Sequence, residues 1–265
     1  MAHFVPRHPA MSSESIRIAR AGGPALAATL ELPANEPRGA ALFAHCFTCT
    51  RQSKAAVAVS RELADRGVAC LRFDFRGLGE SEGDFGADSF PADVADVTTA
   101  THWLIHRFGP SVLLVGHSLG GAAVLAAAGE IAEVAAVATI GAPASVEHVL
   151  HQVHGDLGAI ERDGRGPVTI GGRSFEITRE FVAHLHDVDL AAEVGELGRP
   201  LMILHSPTDQ LVGIENAARL FDAARHPKSF ISLAGADHLL LEQADADFAA
   251  SVIAAWAERY LGGGR

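Results

Sequence analysis

The stretch Val112-Leu113-Leu114-Val115-Gly116-His117-Ser118-Leu119-Gly120 decides how the rest of the chain is read. Four consecutive aliphatic residues make a buried strand, and the alanine-rich run Gly121–Gly129 makes a helix. Between them, Gly116 and Gly120 permit a turn sharp enough to hold the Ser118 hydroxyl clear of its neighbours. The strand–turn–helix context is what separates this Gly-x-Ser-x-Gly from a small-residue turn. It makes Ser118 a candidate nucleophile. It also places the N–H of Leu119 at a helix N-terminus, where it can stabilise a developing oxyanion.

Outward from this turn, short β-rich runs alternate with helical ones, which predicts βαβ units and a mostly parallel sheet. Strands are expected at Ser15–Arg20, Ala25–Leu32, Gly39–His45, Val68–Phe73, Ser111–Gly116, Val134–Ile140, Pro200–His205 and Lys228–Leu233. Helices are expected at Ser53–Arg66, Ser89–Phe108, Leu119–Gly129, Gly213–Ala224 and Asp245–Tyr260. Gly67 and Gly109-Pro110 serve as stops. Residues 144–198 break the rhythm. In that segment Val168–Ile170 and Ser174–Ile177 flank Gly171-Gly172-Arg173 as a tight hairpin, and Thr178 can cap a short helix through His186. About 55 residues bury little core alone, so the expectation is one domain over residues 1–265 with 144–198 as a cap inserted in it.

Of the 265 residues 48% are hydrophobic, which excludes a mainly disordered chain, and the 32 acidic residues exceed the 21 basic ones by 11. Such a balance lacks the electrostatic footprint for nucleic acid or anionic lipid, and neither is expected as a partner. The most apolar region, around Val112–Ala144, is interrupted by Ser118, Glu130 and Glu133, so no membrane span is expected. Met1–Ala10 carries two prolines and two histidines with no apolar stretch behind them, unlike a secretory signal. Three cysteines are too few for a disulfide scaffold. The expected location is the cytoplasm; the sequence does not set an oligomeric state.

A serine hydroxyl needs a base, and the base needs an orienting acid. Asp209 lies in the loop after the strand Pro200-Leu201-Met202-Ile203-Leu204, and His238 in the loop after Lys228–Leu233. Both therefore sit beyond the carboxyl ends of parallel strands, on the edge that carries Ser118. Asp237 also adjoins His238, but Asp209 has the better strand-end context.

The order Ser118, Asp209, His238 resembles that of the α/β-hydrolase superfamily, in its serine-aminopeptidase-like and esterase-like branch, over nearly the whole chain. Asp74-Phe75-Arg76-Gly77-Leu78-Gly79-Glu80-Ser81 and His45-Cys46-Phe47-Thr48 are further landmarks of the likeness. The resemblance implies an eight-stranded, mostly parallel α/β sheet with helices on both faces. It also implies a catalytic triad of Ser118, Asp209 and His238, and an oxyanion hole of Phe47 and Leu119, with no cofactor. Related hydrolases carry glycine where Cys46 stands. A narrower likeness, on Ala44-His45-Cys46-Phe47-Thr48-Cys49, Leu71-Arg72-Phe73-Asp74-Phe75 and Ser81-Glu82-Gly83-Asp84-Phe85, is to the hydrolase half of bifunctional proteins carrying an OsmC-type peroxidase domain. The chain leaves no room for such a domain, which implies a stand-alone relative or an excised half. The implied activity is a serine hydrolase of the carboxylesterase kind acting on a small-molecule ester-like substrate.

Other residues offer competing readings. His117 adjoins Ser118 and reads as a packing or polar neighbour; His205 ends a strand and reads as structural. His148, His151 and His154 repeat at three-residue spacing, but nothing nearby completes a ligand set, so a solvated face rather than a metal is expected. Cys46-Phe47-Thr48-Cys49 is either a redox pair or two small residues shaping the oxyanion loop; a thiol-based redox protein and a non-catalytic ligand-binding member of the fold are the rivals. The apolar residues of the segment, Val149, Leu150, Phe175, Phe181 and Leu185, favour short or aromatic acyl groups.

Overall fold

A computed structural model of the chain describes residues 10–20, 23–47, 49–83, 90–145, 155–170, 173–186 and 190–262. The elements are β1 (Ser12–Arg20), β2 (Gly23–Leu32), β3 (Ala40–Ala44), α1 (Lys54–Asp65), β4 (Ala69–Phe73), α2 (Phe90–Phe108), β5 (Val112–His117), α3 (Leu119–Ala128) and β6 (Val134–Ile140). They continue as α4 (Leu157–Asp163), β7 (Arg165–Ile170), β8 (Arg173–Thr178), α5 (Arg179–His186), α6 (Leu190–Glu196), β9 (Leu201–His205), α7 (Glu215–Ala223), β10 (Lys228–Ser232) and α8 (Gln243–Ala257).

Eight strands form one sheet in the order β1-β2-β4-β3-β5-β6-β9-β10. β2 pairs antiparallel with β1 and with β4, and every other pairing in the sheet is parallel. This is the α/β-hydrolase architecture that the sequence implied. The central strands are apolar throughout because both faces are covered. Along β3, Ala40, Leu42 and Ala44 join the core beneath α2 and α3, while Ala41 and Phe43 join the core beneath α1 and α8. The α1 helix starts at its cap Ser53, whose Oγ accepts from Ala56 N at 3.4 Å, and stops before Gly67 at φ 84°.

Between β6 and β9 the chain leaves the sheet and returns, because β6 and β9 are themselves adjacent, with Val137 opposite Leu201 and Ile140 opposite Leu204. β7 and β8 form the expected hairpin, but Arg173 pairs with Ile170, so the connection is the two residues 171–172 rather than three. Arg173 thus belongs to the strand and not to the turn. Thr178 Oγ1 accepts from Phe181 N at 3.2 Å at the start of α5. The seven-residue helices α4 and α6 were not foreseen. The histidine repeat at 148, 151 and 154 lies outside the described residues, as do Val149 and Leu150; the side chain of Leu185 does too. Among the described residues, no helix is long and apolar enough to cross a membrane, and no group of three or more His, Cys, Asp or Glu could hold a metal ion.

Candidate active site

The turn after β5 has the conformation its glycines permit. Ser118 sits at φ 54° and ψ −120°, a strained geometry for a non-glycine residue. A Cβ on Gly116 would lie 2.3 Å from Gly120 O, and one on Gly120 would lie 2.3 Å from Ala44 O and 2.4 Å from His45 O. The second absence matters chemically: it lets the start of α3, with Leu119, close onto the end of β3, from which Phe47 follows two residues after His45. Ser118 precedes α3 without capping it. Its hydroxyl points elsewhere.

That partner is His238. Its Nε2 lies 2.9 Å from Ser118 Oγ, and its Nδ1 lies 2.6 Å from Asp209 Oδ2. All three residues are buried, each about 8% exposed, so the chain of hydrogen bonds works in a poorly solvated setting. Asp209 Oδ1 accepts from Leu211 N at 2.8 Å and Val212 N at 2.9 Å. Burial pushes the Asp209 carboxyl up, but the hydrogen bond and charge of His238, together with these two amides, outweigh it and hold the group below the usual carboxylate range. Gly141 backs the pair: a Cβ there would meet His238 Nδ1 at 3.2 Å. Asp237, the rival acid, turns away, its oxygens accepting from Leu239 N and Leu241 N at 2.8 and 3.0 Å.

The structure thus brings Ser118, Asp209 and His238 into one hydrogen-bonded chain, with Leu119 and Phe47 on the two segments beside it. A family model described as the alpha/beta hydrolase family matches residues 39–251, which include all five. The chain belongs to the alpha/beta hydrolase family.

Within that family, similarity extends from sequence to structure. The esterase domain of a Rhodothermus marinus protein is 49% identical, with a TM-score of 0.79 over 95% of this chain and all of that one. Est1E of Butyrivibrio proteoclasticus, solved with ferulic acid, is 20% identical with a TM-score of 0.80 over 92% of this chain and 98% of its own; at that identity the likeness is one of fold. The uncharacterized protein YfhR of Salmonella typhi is 27% identical over 180 residues, 67% of this chain and 57% of YfhR, so the chain spans a little over half of that relative.

The alpha/beta hydrolase landmarks around Phe47 carry more structure than their sequence announced. Cys46 and Cys49 are joined by a disulfide, their Cα atoms 5.3 Å apart, with Cys49 N donating to Cys46 O at 3.0 Å. Neither belongs to the first turn of α1. Phe47 is buried and meets two aromatic rings from the segment between β6 and β9: Phe175 at 6.1 Å and Phe181 at 6.0 Å between centroids. Downstream, the fully buried Asp74 accepts from Arg51 N at 2.7 Å and Glu80 N at 3.0 Å, and pairs with the Arg51 guanidinium. Gly79 makes room for it, since a Cβ there would fall 2.2 Å from Asp74 Oδ2. The Arg51–Asp74 pairing anchors the far end of the loop that bears Phe47, a role that sequence reasoning missed.

His117, read as a neighbour of Ser118, and His205, read as structural, have defined partners. His117 Nε2 lies 2.7 Å from the His238 carbonyl, and His205 Nε2 lies 2.8 Å from the Val212 carbonyl. Beside His238, a cavity of about 350 Å³ is lined by Thr208, Gln210, Leu211, Asp237 and Leu239, all from the loops after β9 and β10.

Proposed function

We propose that this alpha/beta hydrolase is a serine hydrolase, of the carboxylesterase kind, that cleaves ester-like acyl bonds of small substrates through an acyl-enzyme on Ser118. The observation that carries the reading is the relay from Ser118 Oγ through His238 to Asp209, at 2.9 and 2.6 Å. In it, His238 Nε2 accepts the Ser118 proton as Oγ attacks the substrate carbonyl carbon, and the carbonyl π electrons move onto oxygen. The N–H groups of Phe47 and Leu119 stabilise that oxyanion. Collapse expels the alcohol, which takes the proton from His238. Water then repeats the sequence on the acyl-enzyme and releases the acid. Asp209 orients the imidazole and stabilises its charged form throughout. No step requires a cofactor. Residues 144–198 act in this reading as a cap within a single domain, with Phe175 and Phe181 bringing apolar surface against Phe47. The 49% likeness to an esterase domain supports the choice of ester bonds.

The deciding experiment is labelling with a fluorophosphonate, which reports an activated serine without the natural substrate. An adduct on Ser118, absent from Ser118→Ala, is expected; an adduct elsewhere, or none, overturns the proposal.

A second reading, thiol-based redox chemistry at Cys46 and Cys49, draws on their pairing. It requires a peroxide- or disulfide-reducing activity that survives in Ser118→Ala and disappears when both cysteines become serine.

A further inference from the structure

Three fully buried histidines stand at the carboxyl ends of strands, and each meets a backbone carbonyl in a loop of the site. His45, after β3, has Nδ1 2.7 Å from Cys46 O. That carbonyl shares its peptide plane with the Phe47 N–H. His205, closing β9, holds Val212 O in the loop of Asp209. His117, closing β5, holds the carbonyl of His238 itself. In each case the partner is an acceptor, so the ring nitrogen that meets it carries the hydrogen.

Resting on the serine-hydrolase reading, we propose that His117 is a positioning residue: its Nε2–H fixes the main chain of His238 at the place where the imidazole meets both Ser118 and Asp209. Ser118 and His238 are then tied twice, once between side chains and once through the residue that precedes the nucleophile. Before the base in the same loop, Ala236 O is held by Ser206 Oγ at 2.6 Å. On the far side of the base Leu241 O accepts from the Lys54 ammonium, so release of His238 O would free the main chain at the base itself, between these two anchors. His117 suits this task because its other nitrogen, Nδ1, is buried and has no hydrogen-bond partner among the described residues. The ring thus has one donor and one use for it. Burial, aided by His238, pushes its pKa down to about 3, so the tautomer that donates is neutral and persists through the working pH range. The alternative is a space-filling ring, since the His117 and His238 rings also pack at 5.4 Å. The two roles predict opposite variants.

His117→Gln keeps an N–H donor near the position of Nε2 and loses the ring. His117→Phe keeps the ring and loses the donor. Active serine is titrated from the burst on a p-nitrophenyl ester, so that misfolded protein does not count, and kcat and KM are measured per titrated serine. The expected result is a fall in kcat of about 10- to 100-fold for His117→Phe, the scale of a small misplacement of a catalytic group, with KM within about twofold. His117→Gln should stay within about threefold of the wild type. Full kcat in His117→Phe, or equal losses in both variants, overturns the proposal. Should His117→Phe not fold, the wild-type imidazole nitrogen NMR spectrum decides: a neutral ring protonated at Nε2 with a slowly exchanging hydrogen supports the role, and an Nδ1–H tautomer removes it. The fluorophosphonate adduct on wild-type Ser118 separates the two levels. If it is missing, the serine reading falls and this role with it; if it is present and the variants behave alike, this role alone falls.

Discussion

Asp209 and His238 divide the acid's oxygens between main chain and imidazole: Oδ1 accepts the amides of Leu211 and Val212, while Oδ2 faces Nδ1 of His238 at 2.6 Å. The carboxylate is therefore oriented before the histidine is considered. Asp237, one residue from the base, spends both oxygens on its own loop.

Asp209→Asn is expected to lower kcat by about 10⁴-fold, as an amide in the acid position of a triad favours the wrong tautomer of the base. Asp237→Asn should cost less than about tenfold, because it disturbs only exposed turn amides. Steady-state kinetics on one ester compares them, and the reverse ranking would move the acid's role to Asp237.

Ser118→Ala should reduce kcat on a p-nitrophenyl ester by about 10⁶-fold, comparable with the removal of the nucleophile from other triads. Retained hydrolysis in a preparation free of host esterases would point to another nucleophile.

Acid should destabilise the fold. Between pH 6.5 and about 3 the unfolded chain protonates the residue-117 imidazole and the folded chain does not, so the unfolded state binds more protons and stability falls as pH falls. Each pH unit inside that window costs up to about 1.4 kcal/mol from His117. The lowered carboxyl of Asp209 adds in the same direction at still lower pH, its contribution fading as pH drops through its folded pKa. Urea unfolding at pH 7, 6, 5 and 4 should give steadily lower midpoints, with a shallower trend for His117→Gln. A midpoint that rises on acidification would contradict a neutral buried His117.

The rings of Phe175 and Phe181 against Phe47 predict a preference for short or aromatic acyl groups. Phe175→Ala should lower kcat/KM for an aromatic ester by about tenfold, the scale of one lost aromatic contact with its buried area, and change acetate esters little. A profile rising towards long-chain triglycerides would refute it.

If the Cys46–Cys49 link only shapes the loop that presents Phe47, replacing both by serine leaves esterase activity within about tenfold, or about 1.4 kcal/mol of barrier. A larger loss per titrated serine would give the thiols a direct part in the chemistry.

The parts of this molecule that could be read from residues are those whose causes are local. Gly116 and Gly120 flank a serine because backbone, not side chain, must pass there, and the same closeness appears as the 2.3 Å a Cβ would leave. The central strands read well because two-sided burial makes them almost uniformly apolar. The segment between β6 and β9 read poorly: α4 and α6 have only seven residues each, too few for helical periodicity to stand out, and their order depends on packing against the main body. Asp209 was legible from its place after a strand, and Asp237 competed on the same ground until distances separated them. The bonds from His117 to His238 O and from Arg51 to Asp74 left no pattern, because a side chain that answers a backbone group 121 or 23 residues away has no spacing to betray it.

The direct pairing of β6 with β9 bears on how such a protein can change over evolutionary time. Those strands meet in a ladder that uses residues up to Gly141 and from Pro200 onward, so if the chain between them is the cap we propose, its length and composition can drift, or be grafted from elsewhere, with the sheet hydrogen bonds left in place. Substrate choice can then diversify while Ser118, His238 and Asp209 stay where they are. Laboratory exchange of the whole cap is correspondingly a more promising route to new substrates than point changes among the tightly packed glycines of the elbow.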